Sequence, residues 1–205
     1  MPDGLALDVA TALLQDGRTA TLLVRTAEPK PGERVLVEAA AGGVGSLLVQ
    51  LVKAAGAHVV AAAGGPRKLA IARELGADEV VDYLEPDWPA RAGQVDVALD
   101  GVGGDMSRTV LGLLPRGGRL LSYGLASGTW SPVTEEAAAE RGVTLLRTAA
   151  TAEDLRSCAE SALAQAAAGR LRPVIGQRFP LDRAADAHAA IETRATVGKT
   201  LLEVG

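Results

Sequence analysis

Val35-Leu36-Val37-Glu38-Ala39-Ala40-Ala41-Gly42-Gly43-Val44-Gly45 starts as a β-rich run and breaks into glycines. It then continues with Leu47, Leu48, Leu51, Val52 and Ala55 at helical spacing from Val44. Strand, tight turn and helix in that order form a frame that can hold a dinucleotide pyrophosphate. The glycines let the chain turn sharply, let the backbone approach the phosphates and let the helix pack close to its strand. The phosphates would meet unpaired N–H groups and the positive dipole end of the new helix. Against the G-x-G-x-x-G pattern, Ala40 stands at the first glycine position, with Gly42 and Gly45 at the other two. The pattern alone is weak, and the strand before it and amphipathic helix after it give it weight. The competing reading is a glycine-rich turn of any parallel α/β protein.

Upstream, Met1 to Pro31 has a helical pattern in two apolar stripes, Leu5, Val9, Ala12, Leu13 and then Ala20, Leu23, Val24, interrupted near Gly17 and stopped by Pro29 and Pro31. Downstream, the first strand is expected over about Val35 to Ala40 and its helix over about Val44 to Ala55. His58 to Ala63 reads as a second strand. Pro66 suits the first turn of the next helix, which runs to Leu75 and closes at Gly76. Asp78 to Asp82, Val95 to Leu99, Arg119 to Tyr123 and Val143 to Leu146 read as four more strands, with helices to Leu114 and over Glu135 to Arg141. The stretch with Pro86, Trp88 and Pro89 is poorly patterned. This alternation predicts an α/β fold, a doubly wound parallel six-stranded Rossmann sheet with helices on both faces. Beyond it come a helix over Ala152 to Ala168 closed by Gly169, a short strand over Ile175 to Phe179, a helix capped by Asp182, and a terminal strand over Val197 to Val204. That last strand has no seventh place in such a sheet and needs a partner. The expected organisation is a helical lead-in (1–34), a nucleotide-binding core (35–150) and C-terminal helices and strand completing the domain (151–205).

Composition narrows the function. The 205 residues are 48% hydrophobic but only 2% aromatic, so the core must be built from Ala, Val and Leu. A net charge of -4 without a basic run argues against a nucleic-acid surface. Cys158 is the only cysteine, and His58 and His188 lie far apart in sequence, so no metal site is expected. No basic leader precedes an apolar segment and none approaches bilayer length, which reads as soluble and cytoplasmic without a membrane partner.

The end of the second strand bears on coenzyme choice. An NAD site usually carries an acid there, about 20 residues beyond the glycine turn. Here the sequence has Ala62, Ala63, Gly64 and Gly65, and no carboxylate is expected nearby. Arg67 and Lys68 follow in the first turn of the next helix, where the dipole disfavours positive charge. A 2′-phosphate would reverse that penalty, which favours NADP over a merely solvated basic pair. The ligand of an open α/β sheet crosses the carboxyl ends of the strands. Gly101 and Val102, and Tyr123, Gly124 and Leu125, should therefore border the nicotinamide half, although Tyr123 could simply fill space above the sheet. Pro115-Arg116-Gly117-Gly118 falls at the opposite end of the sheet.

Other constellations fail. Gly198-Lys199-Thr200 resembles the end of a phosphate loop, but Thr193 takes the first glycine position and a strand follows. No G-x-S-x-G elbow supports a hydrolase, and Cys158 in an alanine-rich helix is a poor thiolate site. The tyrosine and lysine that short-chain reductases place four residues apart are missing, since Asp87 follows Tyr83 and Ser127 follows Tyr123.

Ala39 to Gly45, Lys68, Glu74-Leu75-Gly76-Ala77-Asp78, Val81-Asp82-Tyr83, Asp96 to Gly103 and the ending from Phe179-Pro180-Leu181 through Ala184 to Val204 closely resemble the cofactor domain of medium-chain dehydrogenases/reductases. The nearest branch is similar to the zinc-independent quinone oxidoreductases. The resemblance implies pyrophosphate contacts at Gly42, Gly43 and Val44, 2′-phosphate contacts at Lys68 and Tyr83, and nicotinamide-side contacts at Gly101, Val102, Tyr123, Gly124 and Leu125. Gly64 and Gly65 replace polar residues often found near the phosphate, and Leu125 stands where a polar residue is common. The resemblance also implies a β-rich GroES-like catalytic domain ahead of this region, so the chain is expected to be a piece of a longer enzyme or a shortened gene product. It further implies a homodimer through the edge strand near Val143 to Leu146.

Together these readings predict the NADPH-binding domain of an oxidoreductase that transfers hydride to a quinone or conjugated carbonyl, a small-molecule substrate. No catalytic residue is identified, and the chain alone is expected to bind coenzyme with little or no turnover. The alternative is a non-catalytic NADPH-binding module acting through a partner chain or domain.

Overall fold

The alternation predicted by the sequence is realised in a computed structural model, which describes residues 2–204. Met1 and Gly205, the outer ends of the expected lead-in and terminal segments, lie outside the described residues. The chain runs α1 (Leu7–Ala27), β1 (Arg34–Glu38), α2 (Gly43–Ala54), β2 (His58–Ala63), α3 (Pro66–Glu74), β3 (Glu79–Asp82), α4 (Trp88–Ala92), β4 (Val97–Asp100), α5 (Asp105–Leu113), β5 (Arg119–Ser122), α6 (Glu135–Arg141) and β6 (Thr144–Leu145). Then follow α7 (Ala152–Ala167), β7 (Ile175–Pro180), a 3-10 turn (Leu181–Arg183), α8 (Ala184–Glu192) and β8 (Lys199–Glu203).

The first six strands form one parallel sheet in the order β3-β2-β1-β4-β5-β6. Side chains alternate across a strand, so each strand feeds two cores. Val35, Val37, Val59, Ala61, Val97 and Leu99 face a layer built from α1, α2 and α7, including Leu13, Leu23, Leu47, Leu48 and Ala162. Leu36, Val60, Ala62, Ala98 and Leu120 face the opposite layer, with Trp88, Ala92, Val110, Leu111 and Ala138 from α4, α5 and α6. Strand order reverses between β1 and β4, which opens a crevice at their carboxyl ends.

Several sequence expectations are corrected. The first helix passes through Gly17 without a break, and a methyl group there would lie 2.9 Å from the Ala162 side chain. The glycine lets α1 and α7 approach, and tertiary packing outweighs its poor helix propensity. The stretch around Trp88 forms a short helix whose Trp88 is buried in the second core. The last helix is preceded by a 3-10 turn, and the Asp182 side chain makes no cap hydrogen bond. The expected edge strand Val143 to Leu146 contracts to Thr144–Leu145, and the Val143 N–H is taken by the Ala138 carbonyl in the last turn of α6 at 2.9 Å. The terminal strand finds its partner within the chain: β8 pairs in parallel with β7 in a separate two-stranded sheet.

Candidate functional site at the carboxyl ends of the strands

The turn after β1 is held by contacts that leave no room for larger residues. A Cβ on Gly45 would collide with the Ala39 carbonyl, so the glycine sets how closely α2 sits against the end of β1. A Cβ on Gly43 would collide with the Asp16 carboxylate from α1, which is paired with the Lys199 ammonium at 3.0 Å. Ala40 is buried, and its N–H donates to the Ala62 carbonyl at 3.1 Å. Ala39 itself adopts φ +49, an uncommon conformation for a residue with a side chain. The Gly198 N–H donates to the Ala41 carbonyl at 2.7 Å. The Gly198-Lys199 pair, set aside as a phosphate loop, thus lies against the glycine turn and braces it. α2 carries no acid in its first turn and its cap has no side-chain hydrogen bond, so its leading N–H groups stay available for an anion.

Beside this turn is a cleft of about 160 Å³ lined by Ala39, Ala41, Gly42, Ala63, Lys68, Tyr83, Ala126, Ile191, Arg194 and Thr196. Two sequence candidates, Lys68 and Tyr83, meet Gly42 there. Arg67 is exposed outside this lining, next to Lys68 at the start of α3. Lys68 donates to the carbonyl of Arg194 at 2.7 Å, and Arg194 holds the left-handed φ of +56 just past α8. Partial burial together with the charges of Arg194 and Arg67 depresses the Lys68 ammonium below its ordinary value. These cations gather where none of the lining residues is acidic, so the cleft is short of an anion.

A carboxylate does lie near the end of β2, which corrects the expectation of none. It comes from β3: Asp82 accepts from the Gly65 N–H at 3.0 Å and the Leu84 N–H at 3.0 Å. Those bonds commit it to the turn, and it is not part of the cleft lining. Gly64 sits under Tyr83, where an added Cβ would stand 3.2 Å from the ring. Burial and the nearby Glu38 push the Tyr83 phenol up, so it remains a neutral donor.

At the ends of β4 and β5 the chemistry reverses. Gly101 and Gly124 approach so closely that a Cβ on Gly124 would strike the Gly101 carbonyl. The Tyr123 hydroxyl donates to the Glu38 carbonyl at 3.3 Å, so it points into the molecule. Burial, followed by Glu38, Asp100 and Tyr83, drives its phenol far above the ordinary range. Val102 is buried and its N–H donates to Asp100 Oδ1 at 3.1 Å, whereas Leu125 is exposed and Ala126 takes the place in the cleft wall. Val44, in the first turn of α2, packs against the first core.

Sequence reasoning missed Arg194, Asp16, Glu38 and Asp100. Two left a signal: Glu38 and Asp100 are acids ending otherwise apolar strand runs. The other two reach the site from distant segments and left none. His58 lies at the amino end of β2, 2.6 Å from Glu79, away from the crevice.

A family model described as zinc-binding dehydrogenase matches residues 75–202. The chain is 34% identical over 215 residues to a quinone oxidoreductase of Pseudomonas aeruginosa, covering 98% of this chain and 66% of that protein. It therefore spans about two thirds of the length of the curated relatives it matches. The crystal structure of Escherichia coli quinone oxidoreductase complexed with NADPH superposes with a TM-score of 0.90 at 32% identity, covering 98% of this chain and 67% of that one. The quinone oxidoreductase of Pseudomonas syringae pv. tomato DC3000 gives 0.87 at 35% identity, covering 98% and 66%. Among the described residues no group of three His, Cys, Asp or Glu side chains is placed to hold a metal ion. No described helix is long and apolar enough to cross a membrane.

Proposed function

The chain belongs to the medium-chain dehydrogenase/reductase family, and on that premise we propose that it is the NADPH-holding part of an oxidoreductase that reduces quinones or related conjugated carbonyls. The observation that carries this reading is one cleft in which a glycine turn at a helix N-terminus meets Lys68 and Arg194 without an acid in the lining. The glycine turn supplies backbone N–H donors for a diphosphate, and Gly43 and Gly45 let it pack against Asp16 and the Ala39 carbonyl, which sets its shape. Lys68 and Arg194, with Arg67 alongside, supply the positive charge a 2′-phosphate needs. Gly101 and Gly124 offer backbone groups to the nicotinamide half, whereas both backbone groups of Val102 are taken up by Asp100 and Ser127. The bound coenzyme would supply the hydride, and the chain contributes orientation and exclusion of water. NADPH-bound quinone oxidoreductase, 32% identical over nearly the whole chain, supports the same assignment.

Fluorescence titration with NADPH and NADH in parallel tests it. NADPH should bind at least about tenfold tighter, the size expected for one charge-assisted phosphate contact. Equal affinity for the two would overturn the coenzyme assignment. Acceptor reduction belongs to a longer protein in this reading, so the isolated chain should turn over quinones little or not at all. Rapid reduction of several quinones by the purified chain would contradict that division.

We also assign the free side of β6, the outermost strand of the sheet, to contact between two copies. A cavity of about 420 Å³ beside it is lined in part by Leu145, Leu146 and the exposed Trp130. An unpaired edge next to exposed apolar surface favours such pairing. Sedimentation should report a dimer, and Leu145→Asp should yield monomers. A wild-type monomer at high concentration would rule the contact out.

A further inference from the structure

Glu38 ends β1 on the same face as Asp100 at the end of β4, because Val37 stands in register with Leu99. Both acids are completely buried. Asp100 is well supplied with donors: its Oδ1 accepts from the N–H groups of Val102 at 3.1 Å and Gly103 at 2.8 Å. Its Oδ2 accepts from the hydroxyls of Ser107 at 2.6 Å and Ser122 at 2.8 Å. Both Glu38 oxygens, by contrast, find no hydrogen-bond donor. The side chain that the strand register sets beside Glu38 is the Asp100 carboxyl, itself an acceptor. Two acceptors that face each other in a buried site can bond only through a proton.

We propose that Glu38 and Asp100 share one proton, Glu38 acting as the donor, and that this pair fixes the Gly101–Gly103 bend that borders the coenzyme cleft. Glu38 is thereby a positioning residue. It acts through Asp100, whose four other bonds tie the bend to α5 and β5. This role rests on the coenzyme reading given above. The groups facing Glu38 agree with an un-ionised carboxyl. Asp100 from β4 is acidic, the Tyr123 phenol beyond β5 and the Tyr83 phenol beyond β3 are neutral, and no ion pair among the described residues reaches either acid. Burial, followed by Asp100, holds the Glu38 carboxyl well above the usual carboxylate range.

Ionising Glu38 would set two carboxylates against each other and push Asp100 off the bend. The folded chain keeps this proton where the unfolded chain has already released it. Stability attributable to Glu38 therefore falls as pH rises from the unfolded carboxyl value of about 4.3 towards the raised folded value.

The test compares the wild-type chain with Glu38→Gln, whose amide donates to Asp100 but does not titrate, and Glu38→Leu, which donates nothing. Without coenzyme, wild-type stability should decline relative to Glu38→Gln as pH rises above the unfolded carboxyl value. In NADPH titrations, wild-type affinity should drop at least about tenfold relative to Glu38→Gln as pH rises through the titration of Glu38, one pK unit of differential protonation. Because Lys68 is common to both proteins, its own titration cancels in that ratio. Glu38→Leu should bind NADPH weakly at every pH, with Glu38→Gln restoring the loss. Parallel stability profiles for wild type and Glu38→Gln would overturn the shared proton, even if Glu38→Leu fails to fold. Diverging stability with unchanged NADPH ratios would overturn the positioning role. Failure of the wild type to bind NADPH at any pH would count against the coenzyme reading and the positioning role, and the coenzyme-free profiles would still decide the proton.

Discussion

The two halves of the crevice are incomplete in opposite senses. On the β2–β3 side, Lys68 and Arg194 converge on a partly open cleft without an acid in its wall, so the missing component is an anion. On the β1–β4–β5 side, Glu38 and Asp100 lie fully buried with more acceptors than donors, and the missing component is a proton. The first deficit can be met from outside, because solvent and ligands reach it. The second must be met when the chain folds. Charge shortage therefore reads as binding where the site is open and as internal fixation where it is closed.

The largest effect should come from breaking the closed half. Asp100→Leu strands the N–H groups of Val102 and Gly103 and the hydroxyls of Ser107 and Ser122, and should cost about 4 kcal/mol in chemical denaturation. A loss under about 1 kcal/mol would mean that those donors find other partners and that the bend is not anchored there. Gly45→Ala should cost about 2 to 3 kcal/mol, because its Cβ meets the rigid Ala39 carbonyl rather than a movable side chain.

The open half should behave differently. Removing both cations, Lys68→Ala with Arg194→Ala, should weaken NADPH binding about 100-fold and NADH binding by less than about threefold, with little change in stability. Raising salt should erode the wild-type preference for NADPH, since these charges are only partly shielded from solvent. Equal losses for the two coenzymes would show that the cations serve the shared diphosphate rather than a 2′-phosphate.

This contrast also explains what the sequence revealed. The six-strand sheet was legible because runs such as His58–Ala63 and Val97–Asp100 are short, almost continuously buried and each followed by a glycine. The glycine turn was legible because its function depends on backbone shape within a few residues. Lys68 could be weighed because its helix position is local. Arg194 could not, since it reaches Lys68 across 126 residues through the ending of α8. The pairing of Glu38 with Asp100 depended on β1 and β4 being neighbours, a consequence of strand order that no local pattern encodes. Gly17 misled for the same reason, because its meaning lies in α7.

The smallest effect tests whether the open half is arranged for a ligand at the expense of the free chain. Lys68 is held below its ordinary value first by burial and then by Arg194 and Arg67, so its charge opposes folding when no anion is bound. Such a cost is present at neutral pH, where the amine is charged in both states, and disappears as pH rises beyond the unfolded lysine value of about 10.4. Lys68→Met keeps the apolar stem and removes the charge. It should raise the stability of the coenzyme-free chain by ~0.5 kcal/mol or less, because the group is largely solvent-screened. The same substitution should weaken NADPH binding about tenfold. Opposite signs in the two measurements would mark a residue placed for a ligand. A loss in both would instead make Lys68 a structural donor, held by the Arg194 carbonyl and serving the ending of α8.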